Sequence, residues 1–294
     1  MAKSMDQTEN IIIGIDGGGT GCRVAIANSG GKIIGEGRAG PANPTNNAQN
    51  ALANLLEAIE QARKSARLTR TDLAKAAAFA GLAGVRDDKT ARLIADGLPF
   101  ENLRVVEDTV TSVTGALAAK NGSVAPIGTG SFLARRTKDG TKYLGGWGFM
   151  LGDDASGAWL GHQLLRQTVL CVEGVENHTG LTLETLAGYD GDARNIYDFC
   201  NRATPAEFGK LAPKIVAGAT GGDKTATGLM QAGADYILRA LSALGYAEGE
   251  ALCLSGGLGP HYKTYLPPQY RAAVIKAKGS ALDGALLLAA GLRV

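Results

Sequence analysis

The chain has 294 residues, 45% of them hydrophobic and 20% charged, with a formal net charge of +2. That length accommodates one large domain or two ordinary ones, and the near-neutral charge without a Lys/Arg block argues against a nucleic-acid surface. No apolar run reaches membrane-spanning length, which argues against a membrane protein.

Met1 to Asn10 is polar, lacks an apolar signal core and reads as a short tail. Cys22, Cys171, Cys200 and Cys253 are scattered without a close pair, and read as reduced core residues of a cytoplasmic protein. The 42 glycines cluster between apolar runs, which suits an α/β protein with ligand loops.

The chain opens with a β-branched run, Ile11-Ile12-Ile13-Gly14-Ile15, that reads as a buried strand. It ends in Asp16 and the tip Gly17-Gly18-Gly19-Thr20. Val24 to Ala27 and Lys32 to Gly37 follow as second and third strands, with a turn at Ser29-Gly30-Gly31-Lys32 between them. Successive glycine N–H groups form an anion-binding nest, and a carboxylate beside it would repel phosphate unless a cation lay between. The stretch is thus either a phosphate site bridged by Mg²⁺ or a glycine-rich hairpin whose Asp caps a turn.

A shaped loop, Gly40 to Asn47, precedes a long amphipathic helix from Ala51 to about Leu68. Ala76 to Ala80 is a short buried strand ending in a second glycine loop, Gly81-Leu82-Ala83-Gly84. Thr90 to Gly97 is a helix. Leu103 to Glu107 is a strand delivering Asp108, and Thr109 to Lys120 is helical. This order implies a mixed sheet with helices on its faces and polar strand ends facing the ligand.

The opening pattern then returns. Ser123 to Ile127 is a strand, Gly128-Thr129-Gly130-Ser131 a glycine tip and Phe132 to Thr137 a strand; Lys142 to Leu144 is the third. Shifted by 109 positions, Gly19-Thr20-Gly21 falls on Gly128-Thr129-Gly130, so the chain reads as a duplicated domain. The duplication is unequal, because Asp16 corresponds to Ala125.

Gly145 to Gly157 is a loop leading into a helix from Ala158 to about Val172. Helices are expected at Leu181–Ala187, Asp192–Arg202 and Pro205–Ala219, and a long one capped by Asp223 runs to about Leu244. Ala251 to Leu254 is a strand that enters a third glycine loop, Ser255-Gly256-Gly257-Leu258-Gly259. Ala273 to Lys276 is a strand, and Ser280 caps a final buried helix, Ala281 to Ala290.

In this order the motifs resemble the acetate-and-sugar-kinase, chaperone and actin superfamily. Within it, they resemble the N-acetylglucosamine kinase and bacterial glucosamine kinase group, related to the BadF-type ATPases. The resemblance spans nearly the whole chain. It implies an α/β fold, a duplicated ribonuclease H-like (actin-like ATPase) architecture with an interdomain ATP cleft. The first domain would span 10–115 plus 281–294, and the second 116–280.

It also implies an ATP- and Mg²⁺-dependent kinase acting on the 6-hydroxyl of glucosamine or N-acetylglucosamine, and a homodimer. Asp108 matches the catalytic aspartate and Asp16 the metal-linked carboxylate. Gly17, Gly18, Gly19 and Thr20 match the first phosphate motif, Gly128, Thr129, Gly130 and Ser131 the second, and Ser255, Gly256 and Gly257 the adenosine motif. Asn43, Gly81, Gly146, Trp147 and Asp153 match the sugar site, together with Asp108.

Each residue also has a plainer reading. Asp108 could only cap the helix at Thr109, and Asp153 a helix near Ala155. Glu107 lies on the opposite strand face from a residue at position 108. Arg23, Arg135 and Arg136 read as solvated, and His162, His178 and His261 as structural or surface residues. The alternative functions within the fold are a BadF-type activating ATPase, which would need a cysteine cluster for an iron–sulfur site, and a non-catalytic sugar sensor, which would not need Asp108.

Overall fold

A computed structural model describes residues 11–28, 30–45 and 47–292. The polar stretch Met1–Asn10, Ser29 of the first turn and the last two residues of the first-domain expectation lie outside them. The chain divides into two compact units, 1–119 with 277–294 and 120–276.

The first unit begins with β1 (Ile12–Gly17), β2 (Cys22–Ala27) and β3 (Ile33–Ala39). The isoleucine run forms β1 because β-branched side chains fit a sheet buried on both faces, and Ile13 and Ile15 are fully buried. The helix α1 (Ala48–Ala66) follows, started by the Asn47 side chain accepting the Asn50 N–H and closed by Arg67 in the left-handed region.

A short helix α2 (Arg70–Lys75) precedes β4 (Ala77–Leu82). Then come α3 (Asp88–Asp96), β5 (Asn102–Glu107) and α4 (Asp108–Leu117). The strands lie in the order β3-β2-β1-β4-β5, with β1–β2–β3 antiparallel and β1–β4–β5 parallel. One face packs on α1 through Ile13, Ile15, Val24, Leu55 and Ile59.

The second unit repeats the plan with β6 (Gly122–Pro126), β7 (Phe132–Thr137) and β8 (Gly140–Gly145). Six helices follow: α5 (Gly157–Val172), α6 (Gly180–Ala187), α7 (Ala193–Arg202), α8 (Pro205–Gly209), α9 (Ala212–Thr220) and α10 (Lys224–Ala243). Then come β9 (Leu252–Ser255), a 3-10 helix (Gly259–Tyr265), α11 (Pro268–Ala273) and β10 (Val274–Ile275). Its sheet order, β10-β9-β6-β7-β8, with the same antiparallel hairpins and parallel crossovers, matches the first sheet strand for strand.

The final helix, α12 (Ala281–Gly291), belongs to the first unit, where Leu282, Leu286 and Ala289 cover Ile12, Ala25 and Phe79 on the second face of its sheet. Ser280 starts it with a capping box to Asp283. Its approach to α4 is as close as backbones allow. A Cβ on Gly284 would strike the Thr111 carbonyl, and one on Gly115 the Ser280 carbonyl.

Two expectations need correction. Pro205–Ala219 is two helices, because Pro213 lacks an N–H and its ring would clash with the carbonyl of Gly209, where α8 ends. The 109-residue offset holds only along the first strand. Gly18 faces Gly21 across a two-residue tip, whereas Ile127 bridges Ser131 across three residues, so the second hairpin carries one extra residue and the offset becomes 110 along β7. Ala125 remains the counterpart of Asp16 and is fully buried.

Candidate active site

In the first unit β1 brings Asp16 to the C-terminal end of the sheet, beside Gly81 of β4. Gly17 is glycine because Leu82 and Ala42 close on it: an added Cβ would lie 2.6 Å from Leu82 Cδ2. Its carbonyl accepts the Ala83 N–H at 2.8 Å, and the Gly18 carbonyl accepts that of Ala42 at 2.9 Å. Gly19 has no neighbour within 4 Å of its missing Cβ, and Gly19 and Thr20 are exposed. The tip therefore has a fixed base and an open end, where backbone N–H groups can meet an anion.

Arg23, paired with Asp16 across the hairpin, donates Nη2 at 2.5 Å and Nε at 3.2 Å to the single oxygen Oδ2 of that carboxylate. Arg135, also expected to be solvated, is mostly buried and donates Nε to Glu250 at 2.8 Å, and Arg136 is partly buried.

Asp108 is the first residue of α4, following the last residue of β5. Burial is the main cause that pushes its carboxyl up to about 7, and the carboxylates of Glu107 and Asp16 add to the effect. The N-terminal position in α4 favours an anion, but desolvation and two like charges outweigh it. Asp108 is not the helix cap; that position falls to Glu107, whose side chain makes no capping bond and accepts from Thr109 Oγ1 at 3.2 Å.

Asn43 is half-buried, and its Oδ1 accepts the Thr45 N–H at 2.9 Å while Thr45 Oγ1 donates to the Gly84 carbonyl at 3.1 Å. This seats the loop on the end of β4. Gly81 is buried, and an added Cβ would strike Thr111 of α4, so its small size serves packing under the site.

In the second unit the tip Gly128–Ser131 is tied to the start of α5. The Gly128 carbonyl accepts the Gly157 N–H at 2.7 Å and the Thr129 carbonyl that of Ala158 at 3.1 Å. Ser131 is buried: its N–H donates to Asp153 Oδ1 at 3.1 Å and its hydroxyl to the Asp154 carbonyl at 2.6 Å, so that hydroxyl faces the protein. Asp153 is not a helix cap either; Ser156 caps α5 by accepting the Trp159 N–H.

Gly146 N–H reaches the Ser131 carbonyl at 3.4 Å, and the loop beyond presents Trp147 with 66% of its surface exposed. Ser255 ends β9. Gly256 holds a left-handed backbone in which a Cβ would strike Ile127, and the exposed Gly256 and Gly257 border the base of the Gly128 tip through Leu258 N–H to Ile127 O at 3.0 Å. His162 packs edge-on between Phe149 and Phe208.

Among the described residues no three His, Cys, Asp or Glu side chains form a metal cluster. A magnesium ion needs only one or two carboxylates, with water and phosphate completing its shell. Asp16 fits that role, since its carboxylate and those of Glu107 and Asp108 form an anionic group that a divalent cation would relieve.

A duplicated sheet with a glycine tip on the first hairpin of each half, and strand-end carboxylates in one half, is the architecture of actin-like sugar kinases. The chain belongs to the BadF/BadG/BcrA/BcrD ATPase family, which it matches over residues 13–289. It is 30% identical to glucosamine kinase GspK of Vibrio cholerae serotype O1, over 95% of this chain and 96% of that one. A solved structure from Chromobacterium violaceum, provisionally described as an N-acetylglucosamine kinase, superposes with a TM-score of 0.87 at 31% identity, covering 96% and 99% of the two chains. A ROK family glucokinase from Streptomyces griseus, solved with glucose and AMPPNP, shares the fold at a TM-score of 0.59 and 17% identity, over 96% and 99%.

Proposed function

We propose that the chain is an ATP-dependent amino-sugar kinase that phosphorylates the 6-hydroxyl of glucosamine or N-acetylglucosamine. The observation that carries this reading is Asp108, a half-buried carboxylate at a strand end, held near neutrality beside Asp16. The relatives named as amino-sugar kinases support the substrate class.

In this reading Asp108 accepts the hydrogen bond of the sugar 6-hydroxyl and aims its oxygen at the γ-phosphorus. The new O–P bond forms, the bond from the γ-phosphorus to the β,γ-bridging oxygen breaks, ADP leaves and the hydroxyl proton passes to Asp108. Phosphoryl transfer depends on positioning and charge neutralisation more than on base strength, so a carboxylate that titrates near 7 suffices. The open N–H groups of the Gly17–Thr20 and Gly128–Ser131 tips would bind phosphate oxygens, and the Ser255–Gly257 loop the adenosine. Asn43, Asp153 and Trp147 would line the sugar, with Gly81 and Gly146 shaping its loops.

Mg²⁺, held by Asp16 directly or through water, would neutralise charge on the phosphates. A homodimer and a cytoplasmic location belong to the same reading; no described helix is long and apolar enough to cross a membrane. A coupled ADP-release assay with glucosamine, N-acetylglucosamine, glucose or no sugar tests it. Turnover that needs an amino sugar supports the proposal, whereas fast ATP hydrolysis without sugar favours the activating-ATPase alternative.

A further inference from the structure

Tyr262 stands in the 3-10 helix that begins as the Ser255–Gly259 loop ends. It is fully buried, packed so tightly on α10 that a Cβ on Gly233 would lie 2.6 Å from its Cε1. Its hydroxyl donates a 2.6 Å hydrogen bond to the carbonyl of Ala155, 107 residues away in sequence.

Ala155 lies in a connection with unusual backbone. Asp153 and Ala155 have φ of 58° and 65°, the left-handed region that non-glycine residues rarely occupy without outside support. The same connection sends Asp153 Oδ1 and the Asp154 carbonyl to Ser131. The circuit closes through the Leu258 N–H on Ile127. The buried hydroxyl thus ties the segment after β9 to the 152–156 connection, and the bonds of Asp153, Asp154 and Leu258 continue to the Gly128–Ser131 tip.

We infer that Tyr262 is a positioning residue for ligand binding: its hydrogen bond to Ala155 holds the strained 152–156 connection so that Asp153 and the Gly128–Ser131 tip keep their binding geometry. The identity of the ligands, ATP and an amino sugar, rests on the kinase reading. Without the hydroxyl, the Ala155 carbonyl loses its partner and the connection loses one of the contacts that oppose its relaxation. Asp153 then releases the Ser131 N–H, and the tip loosens.

Tyr262→Phe tests this against Tyr246→Phe. Tyr246 also donates its hydroxyl to a backbone carbonyl of the same unit, that of Glu250 at 2.7 Å, but its partner lies outside the three loops. Tyr262→Phe should raise KM for ATP and for the sugar by about tenfold and weaken AMPPNP binding equally in calorimetry, with kcat changed less. Tyr246→Phe should leave both KM values within about twofold even where it lowers the unfolding midpoint as much.

Equal KM effects of the two variants, or none from Tyr262→Phe, would overturn the inference while leaving the kinase reading intact. If Tyr262→Phe does not fold, hydrogen exchange on the wild-type protein decides. AMPPNP should protect the 128–131, 153–156 and 258–262 segments together, and protection of 128–131 alone overturns the inference. A wild-type protein that binds AMPPNP but phosphorylates no sugar defeats the kinase reading alone, and the inference is then judged on AMPPNP affinity. A protein that binds neither ligand defeats both.

Discussion

Arg23 holds Asp16 by a single oxygen: both guanidinium bonds, from Nη2 at 2.5 Å and from Nε at 3.2 Å, fall on Oδ2. The pair is partly exposed, with 46% of the arginine side chain and 17% of the aspartate side chain accessible, so its worth to stability is at most about 1 kcal/mol. Asp16→Asn should therefore barely move the unfolding midpoint. It should raise the half-saturating Mg²⁺ concentration for turnover by about tenfold or more and leave sugar affinity within about twofold. Equal losses of metal dependence and of sugar binding in a calorimetric titration would contradict the metal role.

The environment that raises Asp108 has a cost in stability, read most directly without Mg²⁺. The native protein keeps the Asp108 proton until about pH 7, whereas an unfolded chain releases it near pH 4. Its contribution to stability is full below pH 4 and is lost as pH rises through about 7. Asp108→Asn carries no charge at any of these pH values. It should match the wild type in thermal unfolding at pH 4 and exceed it at pH 8, by on the order of a few kcal/mol. A variant less stable than the wild type at pH 8 would show that the ionised Asp108 is stabilising.

Activity should follow the same group with the opposite sign. In the proposed reaction Asp108 accepts a proton and so must be ionised, and kcat/KM should then climb with pH through about 7 and level off. Of the two like charges Glu107 has the larger effect on Asp108, so Glu107→Gln should move this acid limb to lower pH. An unmoved limb would mean that the charge of Glu107 has no part in setting it.

The crossing of α12 and α4 gives a test of packing. Gly284→Ala would drive a methyl into the backbone carbonyl of Thr111, which has no soft side chain to yield. Overpacking should outweigh the helix propensity of alanine and destabilise the protein by about 2 kcal/mol. Gly228 of α10 is exposed, with nothing within 4 Å of its missing Cβ, so Gly228→Ala should stabilise by up to about 1 kcal/mol. Chemical denaturation of the two variants measures both, and equal effects would contradict the close crossing.

Much of this architecture was legible because its signals are local. The Ile11–Ile15 run, the cap residues Asp223 and Ser280 and the glycine tips all act within a few residues of where they stand. The repeat exposed the duplication, although the extra residue in the second tip needed strand register to be seen. Arg23 could have been found by drawing the first hairpin, which sets it opposite Asp16.

The short helices α2 and α11 were missed, since six residues carry too little periodicity to stand out. The raised pKa of Asp108 arises from burial under tertiary packing, and the Tyr262–Ala155 bond spans 107 residues. Neither leaves a local trace in the chain.

In the proposed reaction Asp108 serves phosphoryl transfer to an amino sugar. The most direct measurement is steady-state ADP release by the wild type and Asp108→Asn, each with glucosamine, N-acetylglucosamine, glucose and no sugar. Wild-type turnover should depend on an amino sugar. Asp108→Asn should have a kcat lower by roughly 10²-fold or more, with sugar affinity changed much less. Near-normal turnover by Asp108→Asn on every sugar would reduce Asp108 to a structural residue and contradict its catalytic role.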